Sequence, residues 1–308
     1  MMSSETNFES QFHLLPIECQ VTYASGYRQG VDLLTRAGVA NARSEALWLL
    51  ESALGITRLD IHARPQTNVR PTLWNYAREV FKRRVRGEPL QYILGTQSFR
   101  GLEIAVRSGV LIPRPETELL IEEVHDIWDS CEELKMADIG TGSGCLAVAL
   151  ATEFPHAKLY ATDCSVTAID TATDNANKNS VQDRITFLFG DLLEPLTGLP
   201  GVKGGLSAIV ANPPYVPTRH LHTLPRDVRD FEPHLALDGG SDGLSFYRCL
   251  LREAPLFLQP GGYLLLEMGE GQAHRISEEA ENLQVWTLRN IRQDHANIDR
   301  IMTLERKR

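Results

Sequence analysis

The stretch "ADIGTGSGCLAVAL", residues 137–150, narrows the possible folds most. A short apolar run, three glycines at alternate positions and a second apolar run describe a β-strand that turns tightly into an α-helix. Around it the same alternation continues. Helices are expected at "ETELLIEEVHDIWDSC", "CLAVALATEFP" and "SVTAIDTATDNANKNS", and strands at "KMADIG", "KLYATD" and "ITFLFGD". This rhythm predicts an α/β fold built on a doubly wound, mostly parallel sheet. Further strands follow at "LSAIVAN", "GGYLLLEMG", "QVWTLRNI" and "DRIMTLER". No helix is evident between the last two, so an antiparallel edge strand is expected.

The chain before this region has another character. Residues 21–95 carry apolar residues at three- and four-residue spacing in "YRQGVDLLTRAGV", "ARSEALWLLESALG" and "PTLWNYAREVFKRRVRG", which predicts a small helical-bundle domain. Gly38 and Gly55 suit helix C-termini, Asn41 or Ser44 suits an N-cap, and Pro71 suits a first turn. Residues 96–112 read as a β-hairpin joining this domain to residues 113–308. Residues 1–20 match no recognisable pattern and are expected to be a mobile extension.

Composition removes several function classes. With 43% apolar residues in 308, a buried core is available. The longest apolar runs are strand-sized, well short of the roughly 20 residues a membrane span needs. No basic-then-apolar leader begins the chain, so a cytoplasmic location and no membrane partner are expected. Five scattered cysteines without a CxxC pair argue against a disulfide framework or a zinc site. His220 and His222 have no evident third ligand, so no metal is expected. The net charge is −9, with 11 basic against 9 acidic residues in positions 1–95 and 20 against 31 beyond. An acidic second half suits poorly a protein that grips duplex DNA through its phosphates, and direct nucleic-acid binding is not expected.

Gly140, Thr141, Gly142, Ser143 and Gly144 form the strand-to-helix turn, where absent side chains let a ligand approach the backbone. Asp163 ends the next strand about 20 residues on, where a carboxylate can take both ribose hydroxyls. The spacing is GxGxG, whereas the dinucleotide pattern is GxGxxG, which disfavours a pyrophosphate-bearing cofactor. Asp191, in "FGDLL", would sit beside an adenine covered by Leu192, or would serve as a helix N-cap. Together these residues resemble the S-adenosyl-L-methionine pocket of class I methyltransferases, a family whose product is S-adenosyl-L-homocysteine.

"IVANPPYVP" ends the fourth strand on the same rim. In methyltransferases with NPPY, the acceptor is a nitrogen conjugated to a π system, a poor nucleophile because its lone pair is delocalised. The Asn212 side-chain oxygen and the Pro213 carbonyl can each accept one N–H, fixing the acceptor in line with the methyl group. Pro213 and Pro214 stiffen the turn, and Tyr215 offers a face to a planar amide. Asn212 would also border the cofactor.

The motif alone does not separate DNA bases from glutamine. "LIPRPETE", "DVRDFEPHLALDGGSDGLSFYRCLL" and the helical N-terminal region resemble, over nearly the whole chain, the peptide chain release factor glutamine methyltransferases of the HemK/PrmC family. The resemblance implies a Rossmann-like class I methyltransferase sheet, a helical substrate-recognition domain, and methylation of the glutamine in the Gly-Gly-Gln motif of class-one release factors. A monomer is expected. By the same resemblance Phe99 lines the transfer site while Arg114 and Glu116 shape its wall, and Glu232 and Pro233 brace the NPPY loop over a turn at 238–243. On residue type alone, Phe99 reads equally as a core aromatic, and Arg114 with Glu116 as a structural ion pair. Three rivals remain: the sister enzyme acting on a ribosomal protein, a DNA amino-methyltransferase, and a non-catalytic S-adenosylmethionine sensor.

Overall fold

A computed structural model describes residues 20–308. Of the extension expected over residues 1–20, all but Gln20 lies outside the described residues. Two compact units divide between Leu94 and Gly95.

The first unit is helical: α1 (Tyr23–Arg36), α2 (Ala42–Leu54), α3 (Arg58–Ala63), α4 (Pro71–Val85) and α5 (Leu90–Leu94). Its core holds Leu34, Leu49, Leu50, Trp74 and Phe81. The N-terminus of α1 closes on a capping box, Ser25 N donating to Thr22 Oγ1 at 3.2 Å and Thr22 N to Ser25 Oγ at 2.8 Å, which satisfies amides the helix cannot. Asn41 holds the N-cap position of α2 without a side-chain bond, and Gly55 ends that helix in the left-handed conformation at φ 64°. Pro71 opens α4. The helices α3 and α5 escape the sequence reading because five or six residues are too few to establish a helical period.

The second unit opens with an antiparallel hairpin, β1 (Thr96–Phe99) and β2 (Leu102–Ala105), in register from Thr96 opposite Ala105 to Phe99 opposite Leu102. Then follow α6 (Glu118–Ile127), β3 (Lys135–Ile139), α7 (Cys145–Glu153), β4 (Lys158–Asp163), α8 (Val166–Lys178), β5 (Ile185–Phe189), β6 (Leu206–Ala211), α9 (Arg226–Phe231), α10 (Ser245–Glu253), β7 (Leu258–Glu267), α11 (Ala273–Asn282), β8 (Trp286–Gln293) and β9 (Asp299–Arg306). Expected as a linker, the hairpin belongs to this second unit. Asn175 of α8 fastens it: its Oδ1 accepts from Ala105 N at 2.7 Å, and its Nδ2 donates to Ala105 O at 2.9 Å.

Seven strands form the sheet in the order β5-β4-β3-β6-β7-β9-β8. All neighbours from β5 to β7 are parallel, while β9 is antiparallel to both β7 and β8. The reversed strand therefore lies one in from the edge, and the edge strand β8 runs with the parallel set. The expected antiparallel pairing at one edge is thus present: the short turn at 294–298 folds β9 back onto the edge strand β8, and β9 fills the row beside β7. Alternate residues of the strands face two apolar layers, as a sheet covered on both sides requires. One layer joins Met136, Val210 and Leu265 to α6, α7 and α8; the other joins Ile139, Ile209 and Leu264 to α10 and α11.

The turn from β3 to α7 depends on Gly144, at φ 78°. A Cβ there would stand 2.8 Å from Ala172 Cβ and 2.9 Å from Ala172 Cα, so α7 and α8 close together only because this side chain is absent. Gly144→Ala is expected to destabilise the fold by about 2–3 kcal/mol, from overpacking and the left-handed backbone. In thermal unfolding that is a midpoint drop of roughly 5–10 °C; a midpoint unchanged within about 2 °C would show that the helices can part at no cost.

Candidate active site

Parallel register brings the functional residues to one rim. Ile139 of β3 pairs with Thr162 of β4 and Ala211 of β6, and Ala211 pairs with Leu266 of β7. Gly140, Asp163, Asn212 and Glu267, each the next residue along its strand, therefore reach the carboxyl edge of the sheet at one level. The order of strands reverses between β3 and β6, and the crevice outside such a switch point is where open α/β sheets bind ligands. A cavity of about 420 Å³ opens there.

Of the glycine-rich turn, Gly140, Thr141, Gly142 and Ser143 line this cavity. Gly144 does not; it is spent on the packing against Ala172. Asp163 lines the cavity with its carboxylate already oriented, Oδ2 accepting from Gly142 N at 2.9 Å and Oδ1 from Ser165 N at 2.8 Å. Burial raises its pKa against the pull of these amides. Asp191 and Leu192 also border the cavity. Asp191 is exposed, and the short 3-10 turn that follows, Glu194–Leu196, has no side-chain cap, so the N-cap alternative has no bond to support it. Leu192 holds φ 44°, and its carbonyl accepts from Thr162 Oγ1 at 2.8 Å.

Asp138, a residue the sequence reading passed over, lies beneath the turn at 1% exposure. Its Oδ2 accepts from Thr141 Oγ1 at 2.6 Å and Ala147 N at 3.2 Å, while Oδ1 is buried without a partner. Burial pushes this carboxyl up to about 7. A free acceptor below the turn, an oriented carboxylate at Asp163 and open space over Gly140, where a Cβ would meet no atom within 4 Å, fit a ligand with a cationic end and a vicinal diol. S-adenosylmethionine has both.

The NPPY segment follows β6. Asn212, Pro213 and Pro214 line the cavity; Tyr215 lines an adjoining space of about 220 Å³ that shares Asn212 and Arg114 with it. Asn212 Nδ2 donates to Thr117 Oγ1 at 3.0 Å, and Thr117 Oγ1 donates to Glu267 Oε2 at 2.6 Å. The loop is braced from below. Val216 N donates to Leu237 O at 2.9 Å, Gly239 N to Val216 O at 2.8 Å, and Gln272 Nε2 to Tyr215 O at 2.9 Å. Burial, with Glu267 nearby, pushes the Tyr215 phenol up to about 12, so it stays neutral.

Arg114 lines the cavity and pairs at 2.5 Å with Glu232, which is 4% exposed and also accepts from Ile112 N at 3.1 Å. The partner of Arg114 is thus Glu232 and not Glu116, which is half-buried and borders neither cavity. Phe99 is 1% exposed and packs in the apolar layer with Ile104 and Leu120; it does not line the cavity, and the core reading of this aromatic describes where it sits. His220 and His222 are exposed on a 3-10 turn. Among the described residues no group of three His, Cys, Asp or Glu side chains could hold a metal ion, and no helix is long and apolar enough to cross a membrane.

The fold and the rim site define a class, the methyltransferases. Residues 115–230 match the family model for the methyltransferase small domain, and residues 27–95 match that for the PrmC N-terminal domain. A solved methyltransferase from Pyrococcus furiosus shares the fold at a TM-score of 0.51 and 20% identity, over 68% of this chain and 92% of its own. More specific are two curated relatives named release factor glutamine methyltransferase. That of Moorella thermoacetica is 42% identical over 93% of this chain and 99% of its own; that of Geobacter sulfurreducens is 44% identical over 79% and 82%. The chain belongs to the release factor glutamine methyltransferase family.

Removing the carboxylate of Glu232 leaves Arg114 and the Ile112 amide without their partner. Glu232→Ala should cost about 1–3 kcal/mol, chiefly for the buried Ile112 amide left without its acceptor. Hydrogen exchange at Ile112 checks this: its amide should lose protection, and retained protection would assign the loop's order to other contacts.

Proposed function

We propose that this protein transfers the methyl group of S-adenosylmethionine to the side-chain amide nitrogen of the glutamine in the Gly-Gly-Gln motif of class-one peptide chain release factors, as a cytoplasmic enzyme of translation termination. Family membership supports the reaction and the substrate class. The observation that carries the mechanism is the hydrogen bond from Asn212 Nδ2 to Thr117 Oγ1. With its NH₂ engaged on that side, Asn212 has its carbonyl oxygen left to meet an acceptor.

When bound, the cofactor supplies an electrophilic methyl carbon on a sulfonium, and the protein's task is placement. We assign Asp163 to the ribose hydroxyls, Asp191 and Leu192 to the adenine, and the turn from Gly140 to Ser143 with Asp138 to the amino-acid end. Asn212 Oδ1 and the Pro213 carbonyl accept the two N–H groups of the glutamine amide. Holding both hydrogens rotates the nitrogen into line and stabilises the positive charge that grows on it. Such transfer needs no strong base, because the methylated amide loses its extra proton readily once the methyl has moved. The helical unit, residues 21–95 by the sequence reading, is assigned to recognition of the substrate protein.

Incubation with labelled cofactor and release factors, followed by peptide mapping, should find the label on the Gly-Gly-Gln glutamine. Label elsewhere, or on none of them, would contradict the substrate. Asn212→Ala should lower kcat about 100-fold or more, while cofactor affinity stays within a few-fold. Asp163→Ala should do the reverse, weakening cofactor binding at least about tenfold. A fully active Asn212→Ala would remove the mechanism.

A further inference from the structure

Resting on that reading of Asn212, we infer that Thr117 and Glu267 are positioning residues that determine which end of the Asn212 carboxamide faces the acceptor. Neither is part of the NPPY motif. Thr117 is 2% exposed in the 3-10 turn Pro115–Thr117 before α6, and Glu267 is 2% exposed at the end of β7. β7 lies beside β6 with Leu266 opposite Ala211, which sets Glu267 next to Asn212 along the rim, and Thr117 bonds to both.

The argument is one of donors and acceptors. A hydroxyl has one proton, and an ionised carboxylate can only accept. Thr117 Oγ1 gives its proton to Glu267 Oε2 at 2.6 Å, which leaves only lone pairs for its other neighbour. The Asn212 group facing it must then be the donor, Nδ2, at 3.0 Å. The oxygen is thereby turned to the other side, where an amide N–H can bind it. If Glu267 takes a proton on Oε2, the order reverses: the carboxyl donates to Thr117, the hydroxyl donates onward, and the carboxamide is drawn to present its NH₂ to the acceptor. That arrangement opposes two donors and cannot hold the glutamine.

The surroundings of Glu267 bring this switch within reach of ordinary pH. Burial, opposed by the Thr117 bond, pushes its carboxyl up to about 7. Glu116 raises it further, whereas Arg300 on β9 and Arg114 lower it. Tyr215 of the NPPY loop, Tyr247 of α10 and Cys145 of α7 also face it. All three are pushed up by burial, to about 12 for Tyr215 and Cys145, so they stay neutral. The ionised carboxylate is the productive form, present above about pH 7 and lost as pH falls through it. With cofactor saturating, so that Asp138 at the cofactor's amino-acid end alters affinity and not kcat, kcat should fall on the acid side with the protonation of Glu267, although neither glutamine nor a sulfonium titrates there.

The test measures kcat, cofactor affinity and the pH–rate profile from about pH 5.5 to 8.5 in Thr117→Val, Thr117→Ser, Glu267→Gln and Asn212→Ala, with a release factor as substrate. Thr117→Val should lower kcat about 100-fold with cofactor affinity held within about threefold, and Thr117→Ser should recover to within about fivefold of the parent. The parent should show an acid limb near pH 7 that is flat in Glu267→Gln, whose Oε1 still accepts from Thr117. Thr117→Val turning over within about threefold of the parent overturns the inference, as does a missing acid limb or one that persists in Glu267→Gln. Should Glu267→Gln fail to fold, the Thr117 pair decides alone. An inactive Asn212→Ala beside an active Thr117→Val sinks only this inference, whereas an active Asn212→Ala sinks the reading on which it rests.

Discussion

A carboxamide has two ends of nearly the same shape and opposite hydrogen-bonding character, and the proposed methyl transfer depends on which end of Asn212 faces the cavity. Were the NH₂ outward, it would meet the hydrogens of an incoming amide and repel them. The chain settles the matter with a hydroxyl whose only proton is already given to a buried carboxylate. An unfavourable burial, that of Glu267, is tolerated at the rim because its single acceptor bond sets the polarity of the row beyond it.

The remainder of the second unit keeps that row in register. Parallel pairing from β5 to β7 brings the ends of the strands to one level, so the glycine-rich turn, the Asp163 carboxylate and the NPPY segment open on the same cavity without any of them being adjacent in sequence. Below the clamp the brace is close. Gly239 and Gly243 pack on the backbone of Pro214 and Tyr215, and Gln272 ties Tyr215 O from the N-terminus of α11. Two stiff imino acids above and this backbone contact below leave the loop little room to rotate, as an orientation-dependent step demands.

Much of this was legible in the sequence, and for identifiable reasons. The βα rhythm, the glycine turn, Asp163 and NPPY are local patterns, each short enough to carry its chemistry in a few consecutive residues, and all sit where expected on the rim. Thr117 and Glu267 were not legible. They lie 95 and 55 positions from Asn212 in the chain; pairing of β6 with β7 brings Glu267 beside it, and the 3-10 turn before α6 brings Thr117 onto both. The partner of Arg114 was misread for the same reason, because Glu116 is near in sequence while Glu232 is near in space. Gly144 reads as a fifth ligand-facing position but serves helix packing, since alternation cannot say where α8 will press. The antiparallel pairing at one edge was legible from the missing helix between β8 and β9, whereas the place of β9 between β7 and β8 was not, because strand order is not written in a strand's own residues.

The most direct trial of the central claim is a crystal structure of the protein with S-adenosylhomocysteine and a peptide bearing Gly-Gly-Gln. The account predicts Asn212 Oδ1 within hydrogen-bonding distance, about 2.8–3.1 Å, of the glutamine amide nitrogen, with Nδ2 still on Thr117 Oγ1. A glutamine that reaches the cavity while its nitrogen pairs elsewhere and Asn212 points away would contradict it.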